Sequence, residues 1–417
     1  MKVLVSAYAC RPNMGSDPGI GWNTINELAK KHQVWVLTRK DNYPFIEAEI
    51  KPKSIPGLEF IYFDLPGAEY WKKGVGLIYL HYYLWQIQAY FVGRKLHNNI
   101  GFNIVHHVSY VTYNYPSFLS FLPVPFIWGP VGGGESAPRT FWQDFHLRGK
   151  IYEVIRNLIR WTREKDPFVS FTAKKSFLAW GMTQDTAEKL KKLGAANVKV
   201  FSPVGLSQQE IDCLAQSSLT KTAPVIFLSI GRLLHWKGFY LGLKAFAQAN
   251  LTDAEYWIIG DGPDLKYLQA LTEKLGITQQ VKFWGKLPRE KIFQLLGESH
   301  VLVHPSLHES GGFVCMEAMA AGRPVICLDL GGPALQVVEE TGFKISAHTP
   351  EQTVRDLATA MTCLAQNNEL RLRMGSVARK LARENFSWEV KSQVLAQTYA
   401  EILTSPESLT SSSAIQL

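Results

Sequence analysis

A chain of 417 residues is long for one hydrophobic core and suits two domains of about 200 residues each. Its net charge of +8 favours an anionic partner such as a nucleotide, a phosphorylated acceptor or a membrane face. Zinc-finger spacing, an RNA-binding signature and a basic tail are all missing, which argues against nucleic acid. Cys10, Cys213, Cys315, Cys327 and Cys363 are odd in number and lack metal-ligand spacing, and the opening residues enter a strand without a signal-peptide layout, so a reducing, cytoplasmic setting is expected.

Residues 1–6 are a β-rich run. A loop with Gly15, Gly19 and Gly21 follows, then a helical pattern through Ile25, Leu28 and Ala29 and a second strand over 34–38. Strand, Gly-rich loop, helix and strand open a doubly wound parallel sheet. Another strand is expected over 102–105, ending at His106 and His107, and another over 124–127 before Trp128-Gly129-Pro130-Val131-Gly132-Gly133-Gly134-Glu135. The order then recurs, with strands at 225–230, 255–259, 281–284, 301–304 and 325–328 and helices at 241–247, 264–275, 291–296 and 313–321. Two successive β/α systems predict an α/β protein with two Rossmann-like, doubly wound domains. The expected boundaries are 1–203 for an N-terminal domain, 204–224 for a polar linker and 225–385 for a C-terminal domain. A last helix over 386–404 and a Ser/Thr-rich, disordered tail over 405–417 complete the chain.

Two stretches bear on membranes. Residues 77–87 are aromatic-rich and helical in pattern but too short to span a bilayer. Residues 147–165 place Ile151, Val154, Ile155, Leu158 and Thr162 on one helical face and Arg156, Arg160 and Arg163 opposite. This layout fits either an interfacial helix on anionic lipid or a helix packed on its own domain with a solvated basic face.

The most informative segment is His308-Glu309-Ser310-Gly311-Gly312-Phe313-Val314-Cys315-Met316-Glu317, which reads as strand end, glycine turn and helix. A helix opening after Gly311-Gly312 presents free N–H groups and the positive end of a macrodipole, an anion site suited to a diphosphate. Two carboxylates beside such a site would repel phosphate, so they are expected to accept hydrogen bonds from hydroxyls. A ligand with both diphosphate and hydroxyls is a nucleotide sugar. The alternative makes Glu309 a cap and Glu317 a solvated helix position, but Glu317 lies among Val314, Met316, Ala318 and Met319. Upstream, Gly231-Arg232-Leu233-Leu234-His235-Trp236-Lys237-Gly238 places two cations after a strand, where ligands bind in open α/β sheets. Arg232 clamps phosphate in a fork and Lys237 adds a point charge, unless both are simply solvated.

The two glutamates seven residues apart, followed by Ala318-Met319-Ala320-Ala321-Gly322-Arg323-Pro324-Val325, resemble the donor signature of retaining glycosyltransferase family 4, which has the GT-B fold. The resemblance covers most of the chain and is strongest over 225–345. It implies that Arg232 and Lys237 neutralise the leaving nucleoside diphosphate in place of a metal, so no cofactor is expected. It further implies that Glu309 reaches the sugar hydroxyls and Glu317 the ribose hydroxyls. Gly285 and Lys286 would line the base pocket, and Gly311, Gly312 and Phe313 would offer backbone N–H groups. The family usually has Phe-Gly after its first Glu, whereas this chain has Gly311-Gly312, which bears on the identity of the sugar. In the resembled fold the loop with Gly15 and Ser16 faces the acceptor. Gly132 and Gly133 would form a backbone cradle and Glu135 would bind an acceptor hydroxyl, or the run is a glycine turn. His106 and His107 either orient the acceptor or serve the core, and no histidine stands where many members carry one.

The resulting expectation is a retaining, metal-independent hexosyltransferase using a UDP-sugar, UDP-glucose by family frequency, with a sugar or lipid-linked acceptor at an anionic membrane. A glycolipid or polysaccharide precursor would be its product. The rivals are a GT-B phosphorylase or nucleotide-sugar epimerase, and a non-catalytic nucleotide-sugar sensor. A phosphorylase would consume inorganic phosphate, and a sensor need not keep Arg232, Lys237, Glu309 and Glu317 together.

Overall fold

The computed structural model describes residues 1–52, 55–68, 75–110, 112–217 and 224–404. Among these, a first parallel sheet is built from β1 (Lys2–Ala7), β2 (Gln33–Arg39), β3 (Leu58–Phe63), β4 (Ile104–Ser109), β5 (Phe126–Val131), β6 (Leu178–Gly181) and β7 (Val198–Val200). Its order is β3-β2-β1-β4-β5-β6-β7. The second contains β8 (Val225–Ile230), β9 (Ala254–Ile259), β10 (Val281–Gly285), β11 (Val301–His304), β12 (Val325–Leu328) and β13 (Gly342–Ile345), in the order β10-β9-β8-β11-β12-β13. Chain order reverses direction across each sheet between β1 and β4 and between β8 and β11. In open α/β sheets these reversals mark where ligands bind, beyond the carboxyl ends of the strands. Strands such as Val-Ile-Phe-Leu-Ser-Ile of β8 are apolar on both faces because helices cover both sides of a parallel sheet. The two doubly wound sheets make this the GT-B architecture.

The chain packs as two compact units. One contains Met1–Gly134, Arg156–Pro203 and the segment from Trp388, and the other contains Glu135–Ile155 and Val204–Ser387. Residues 135–155 therefore lie outside the unit in which the sequence placed them. Ala137, Phe141 and Phe145 explain this, since all three are buried in the same cluster as Phe227, Leu241 and Phe246. The last helix, Trp388–Thr404, packs in the first unit and buries Leu395, Tyr399 and Ile402 in one cluster with Val3, Val5, Val34 and Val36.

Part of the expected linker is also ordered structure. Ser207 caps the helix Gln208–Ala215 by accepting from the Glu210 amide, and Glu210 accepts in return from the Ser207 amide. Such a reciprocal cap starts a helix even in a polar stretch. Ile211 and Leu214 are buried from it. His106 and His107 lie inside β4 rather than after it, because the strand begins two residues later than the apolar run suggested. The expected tail over 405–417 lies outside the described residues.

Candidate active site

The loops after β8 and β11 meet at the point where the second sheet reverses. The first contains the short turn His235–Lys237 and then Gly238 at φ +67°. A Cβ at Gly238 would stand 1.9 Å from the Pro305 carbonyl oxygen, so only glycine lets the loops lie this close. The Leu307 amide donates to the Trp236 carbonyl at 2.8 Å, tying one loop to the other. Lys237 Nζ thereby reaches Glu309 and donates to its Oε2. His304, at the end of β11, stands 3.8 Å from the same oxygen. Burial raises the Glu309 carboxyl, but Lys237, then His304 and His308, outweigh it and hold it below its ordinary value. Burial, reinforced by Lys237, pushes the His304 imidazole down to about 4, so it is neutral at physiological pH. Arg232, on the same loop as Lys237, is exposed.

The helix Phe313–Ala320 opens as expected. Gly312 is its N-cap at φ +75°, no side chain caps it, and its first turn carries no acidic residue, so the first N–H groups are left for a ligand. Gly311 and Gly312 are buried, and Phe313 is half-buried. The preceding turn is held from a segment that the sequence did not single out, Gly331–Gln336. Gln336 Nε2 donates to the Gly311 carbonyl at 2.5 Å, and the Gly332 amide donates to the Glu309 carbonyl at 2.8 Å. Its only advance signal was the pair Gly331-Gly332 before Pro333.

Glu317 is buried and faces Arg289, whose Nη1 lies 2.8 Å from its Oε1. Burial raises the Glu317 carboxyl to about 7, and Arg289 pulls against this. Arg289 begins the helix Arg289–Glu298, two residues earlier than expected, which is why the sequence reading passed over it. Gly285 ends β10 at φ +67°, and Lys286 follows it, exposed.

Two further groups join these loops from residues 135–155. Glu135, expected to bind an acceptor, is buried and its Oε2 accepts from Ser310 Oγ at 2.5 Å, next to Glu309. Glu153 is buried with its Oε1 at 3.1 Å from His235 Nε2 and 3.6 Å from His308 Nε2. One carboxylate thus holds a histidine on each of the two loops.

The other acceptor candidates belong to the first unit. His106 bonds Tyr399 Oη and the Gly129 carbonyl, both at 2.6 Å, and burial pushes it down to about 4. His107 bonds Tyr82 Oη and Ser117 Oγ, both at 3.2 Å. Both rings are buried and bonded within the core, the second of the two expected roles, and neither is exposed to meet an acceptor. Gly132 is buried and Gly133, at φ +86°, is half-buried. The neighbouring Gly134 is packed against Thr186, whose Oγ1 accepts from its amide at 3.0 Å. Gly15 and Ser16 are exposed at the start of the helix Ser16–Ala29.

Residues 211–381 match the family profile described as glycosyl transferases group 1. That segment is similar to group 1 glycosyltransferases. A D-inositol 3-phosphate glycosyltransferase of Corynebacterium diphtheriae is 31% identical over 217 residues, which are 49% of this chain and 49% of that protein. The chain spans about half the length of the curated relatives it matches. Sucrose-phosphate synthase from Thermosynechococcus elongatus superposes with a TM-score of 0.64 at 17% identity, over 96% of this chain and 99% of that one. Anabaena Alr3699/HepE in complex with UDP and glucose superposes with a TM-score of 0.59 at 17% identity, over 96% and 100%. These superpositions extend the likeness to the GT-B fold over nearly the whole chain.

Outside residues 211–381, the helix Leu147–Arg163 departs from its expected packing. Its buried side is polar. Gly149 and Glu153 are buried, and so is Arg160, whose Nη2 donates to the Gly134 carbonyl at 2.7 Å. The Arg163 guanidinium lies 4.2 Å from the Tyr115 ring centroid. Leu147, Ile151, Tyr152, Val154, Ile155, Leu158, Ile159 and Trp161 face solvent instead, Leu147 at 73% exposure. Arg160 and Arg163 thus have partners inside, so the basic face is not the solvated one expected of a helix packed on its own domain. Among the described residues no helix is long and apolar enough to cross a membrane.

Proposed function

We propose that the protein is a retaining, metal-independent hexosyltransferase that moves glucose from UDP-glucose to a hydroxyl acceptor. The observation that carries this reading is the meeting of Lys237, Glu309 and an uncapped helix N-terminus where the second sheet reverses direction. A lysine paired to a carboxylate in the free protein has two uses once the donor binds. Lys237 turns to the diphosphate, and Glu309 is released to the sugar hydroxyls. The leaving nucleoside diphosphate gathers negative charge as the C1–O bond breaks. Lys237, Arg232 and the N–H groups of Gly312 and Phe313 meet that charge without waiting for solvent to reorganise. The acceptor oxygen bonds to C1 on the same face, and its proton passes to the departing phosphate oxygen. UDP-glucose is the donor that the family resemblance favours.

The acceptor is proposed to be lipid-linked, a glycolipid or polysaccharide precursor, met at the cytoplasmic face of an anionic membrane. The support is the outward stripe of the helix Leu147–Arg163. The acidic residues nearest to it are drawn inward, Glu153 to His235 and Glu164 to Lys189 and Tyr113, while Arg148 and Lys165 remain exposed. An apolar stripe with exposed cations and inward carboxylates complements anionic lipid.

A donor screen scored by release of free nucleotide, run with sugar and lipid acceptors, tests the reading. Release of UDP from UDP-glucose only with an acceptor is the expected result. Consumption of inorganic phosphate without nucleotide release would establish the phosphorylase instead. Activity is expected to survive excess EDTA, and a roughly tenfold loss restored by magnesium or manganese would overturn metal independence.

A further inference from the structure

We infer that Arg289 is a positioning residue for the nucleotide. It aims the Glu317 carboxylate so that one oxygen stays open to the ribose hydroxyls, and Glu210 anchors Arg289 in that role. The inference rests on the reading of Glu317 as the ribose ligand. A carboxylate has about four acceptor positions on two oxygens. Arg289 Nη1 occupies Oε1 of Glu317 at 2.8 Å, and Oε2 makes no hydrogen bond among the described residues. The rest of the guanidinium is committed elsewhere. Nη2 and Nε both donate to Glu210 Oε1, at 2.6 and 3.0 Å. Glu210 cannot drift, because its Oε2 accepts from the Ser207 amide at 2.8 Å and from Ser207 Oγ at 3.0 Å. The planar fork therefore links a helix cap to the ribose ligand through two carboxylates, a task that the point charge of lysine performs poorly. The Phe293 ring lies 4.7 Å from the guanidinium carbon and closes one face of it.

The surroundings of Glu317 explain why such a partner is needed. It lies between Met316 and Ala318 on a helix whose inner positions are apolar, and burial disfavours its charged form. On its own helix the neighbouring titratable group is Cys315. From β11 and β12 come His304 and Cys327, both held neutral, the thiol pushed up to about 12. From the helix Gln208–Ala215 comes Glu210, which repels it. Arg379, from the helix Asn368–Asn385, is turned to the Ser217 and Ala321 carbonyls. Arg289 is the cation that bonds Glu317. With its carboxyl near 7, Glu317 is ionised above neutrality and protonated below it. A carboxylate accepts from ribose hydroxyls better than a carboxylic acid does, so ribose recognition should strengthen as pH rises through 7.

The test is the ratio of dissociation constants for 2′-deoxy-UDP and UDP, measured by calorimetry between pH 6 and 9. The terminal phosphates of the two ligands titrate together, so the ratio isolates the ribose hydroxyl. Wild type should prefer UDP by about tenfold at pH 8, one charge-assisted hydrogen bond, and lose much of this preference below pH 7. Arg289→Met should reduce the preference at pH 8 to about twofold and shift its rise to higher pH, and Arg289→Lys should recover part of it. Glu210→Gln should give an intermediate ratio. Arg289→Met with the wild-type ratio at every pH would overturn the inference, as would an equal weakening of both ligands, the mark of a merely structural role. If wild type itself does not distinguish the two nucleotides, the reading of Glu317 as the ribose ligand fails first.

Discussion

Lys237 and Glu309 neutralise each other. Each partner would otherwise hold an uncompensated charge in a poorly hydrated turn. Removing Lys237 should therefore affect both binding and chemistry. Lys237→Ala should lower turnover by about 10²-fold or more, close to 3 kcal/mol of lost leaving-group stabilisation. Transfer at the wild-type rate by the purified variant would remove Lys237 from the diphosphate. The two glutamates should separate in calorimetry with UDP. Glu317→Ala should weaken UDP by about 1–3 kcal/mol through lost ribose hydrogen bonds, whereas Glu309→Ala should leave UDP affinity nearly intact and impair sugar transfer. Equal losses would contradict the division of roles. Residue chemistry made these positions conspicuous, since a glutamate among small apolar residues and a glycine pair before a helix have few uses. Arg289 and Glu153 gave no such signal, and Glu135 was singled out only for the acceptor. Each acts through a partner 28 to 175 residues away in the chain, Glu317, His308 and Ser310 respectively.

At the scale of elements, the helix Leu147–Arg163 is the informative case. Its periodicity gave the correct length and the correct two faces but not which face is buried. An amphipathic helix ordinarily buries its apolar side. Here Arg160 finds a carbonyl and a tyrosine inside, Glu153 finds two histidines, and the apolar side is left outward. Wild type should co-sediment with anionic vesicles at low salt and dissociate as salt rises. Val154→Glu with Leu158→Glu should abolish this without altering the melting temperature, because both side chains are exposed. Reversing Arg156, Arg160 and Arg163 together is the wrong test, since it would place an unpaired carboxylate where Arg160 is buried. Wild type left in the supernatant would remove the membrane from the proposal. A dimer that the double substitution dissociates would assign the stripe to a second copy.

On the scale of the whole molecule, the last helix makes the first unit depend on the end of the chain. Tyr399 is fully buried among residues of β1 and β2, and its hydroxyl bonds His106. Tyr399→Ala should destabilise this unit by about 4 kcal/mol, from the cavity and from the orphaned imidazole. Chemical unfolding followed by a probe in the first unit checks it, and a loss under about 1 kcal/mol would mean the helix is peripheral to that core.

Sequence alone determined the fold class and singled out the residues proposed here for the donor. The recurring strand, loop and helix order specified two parallel sheets, because local periodicity and apolar runs report which faces are covered. Arg232, Lys237, Glu309 and Glu317 were legible because each lies within a few residues of a strand end or helix start, where function depends on local geometry. Tertiary structure alone decided what packs against those elements. It moved residues 135–155 into the second unit, turned His106 and His107 into core residues, inverted the helix Leu147–Arg163 and brought Arg289 to Glu317. Residues 135–155 follow the burial of Ala137, Phe141 and Phe145, and the other three share one physical reason. A buried polar group must find a partner wherever the fold supplies one, and periodicity does not encode a partner that arrives from a distant part of the chain.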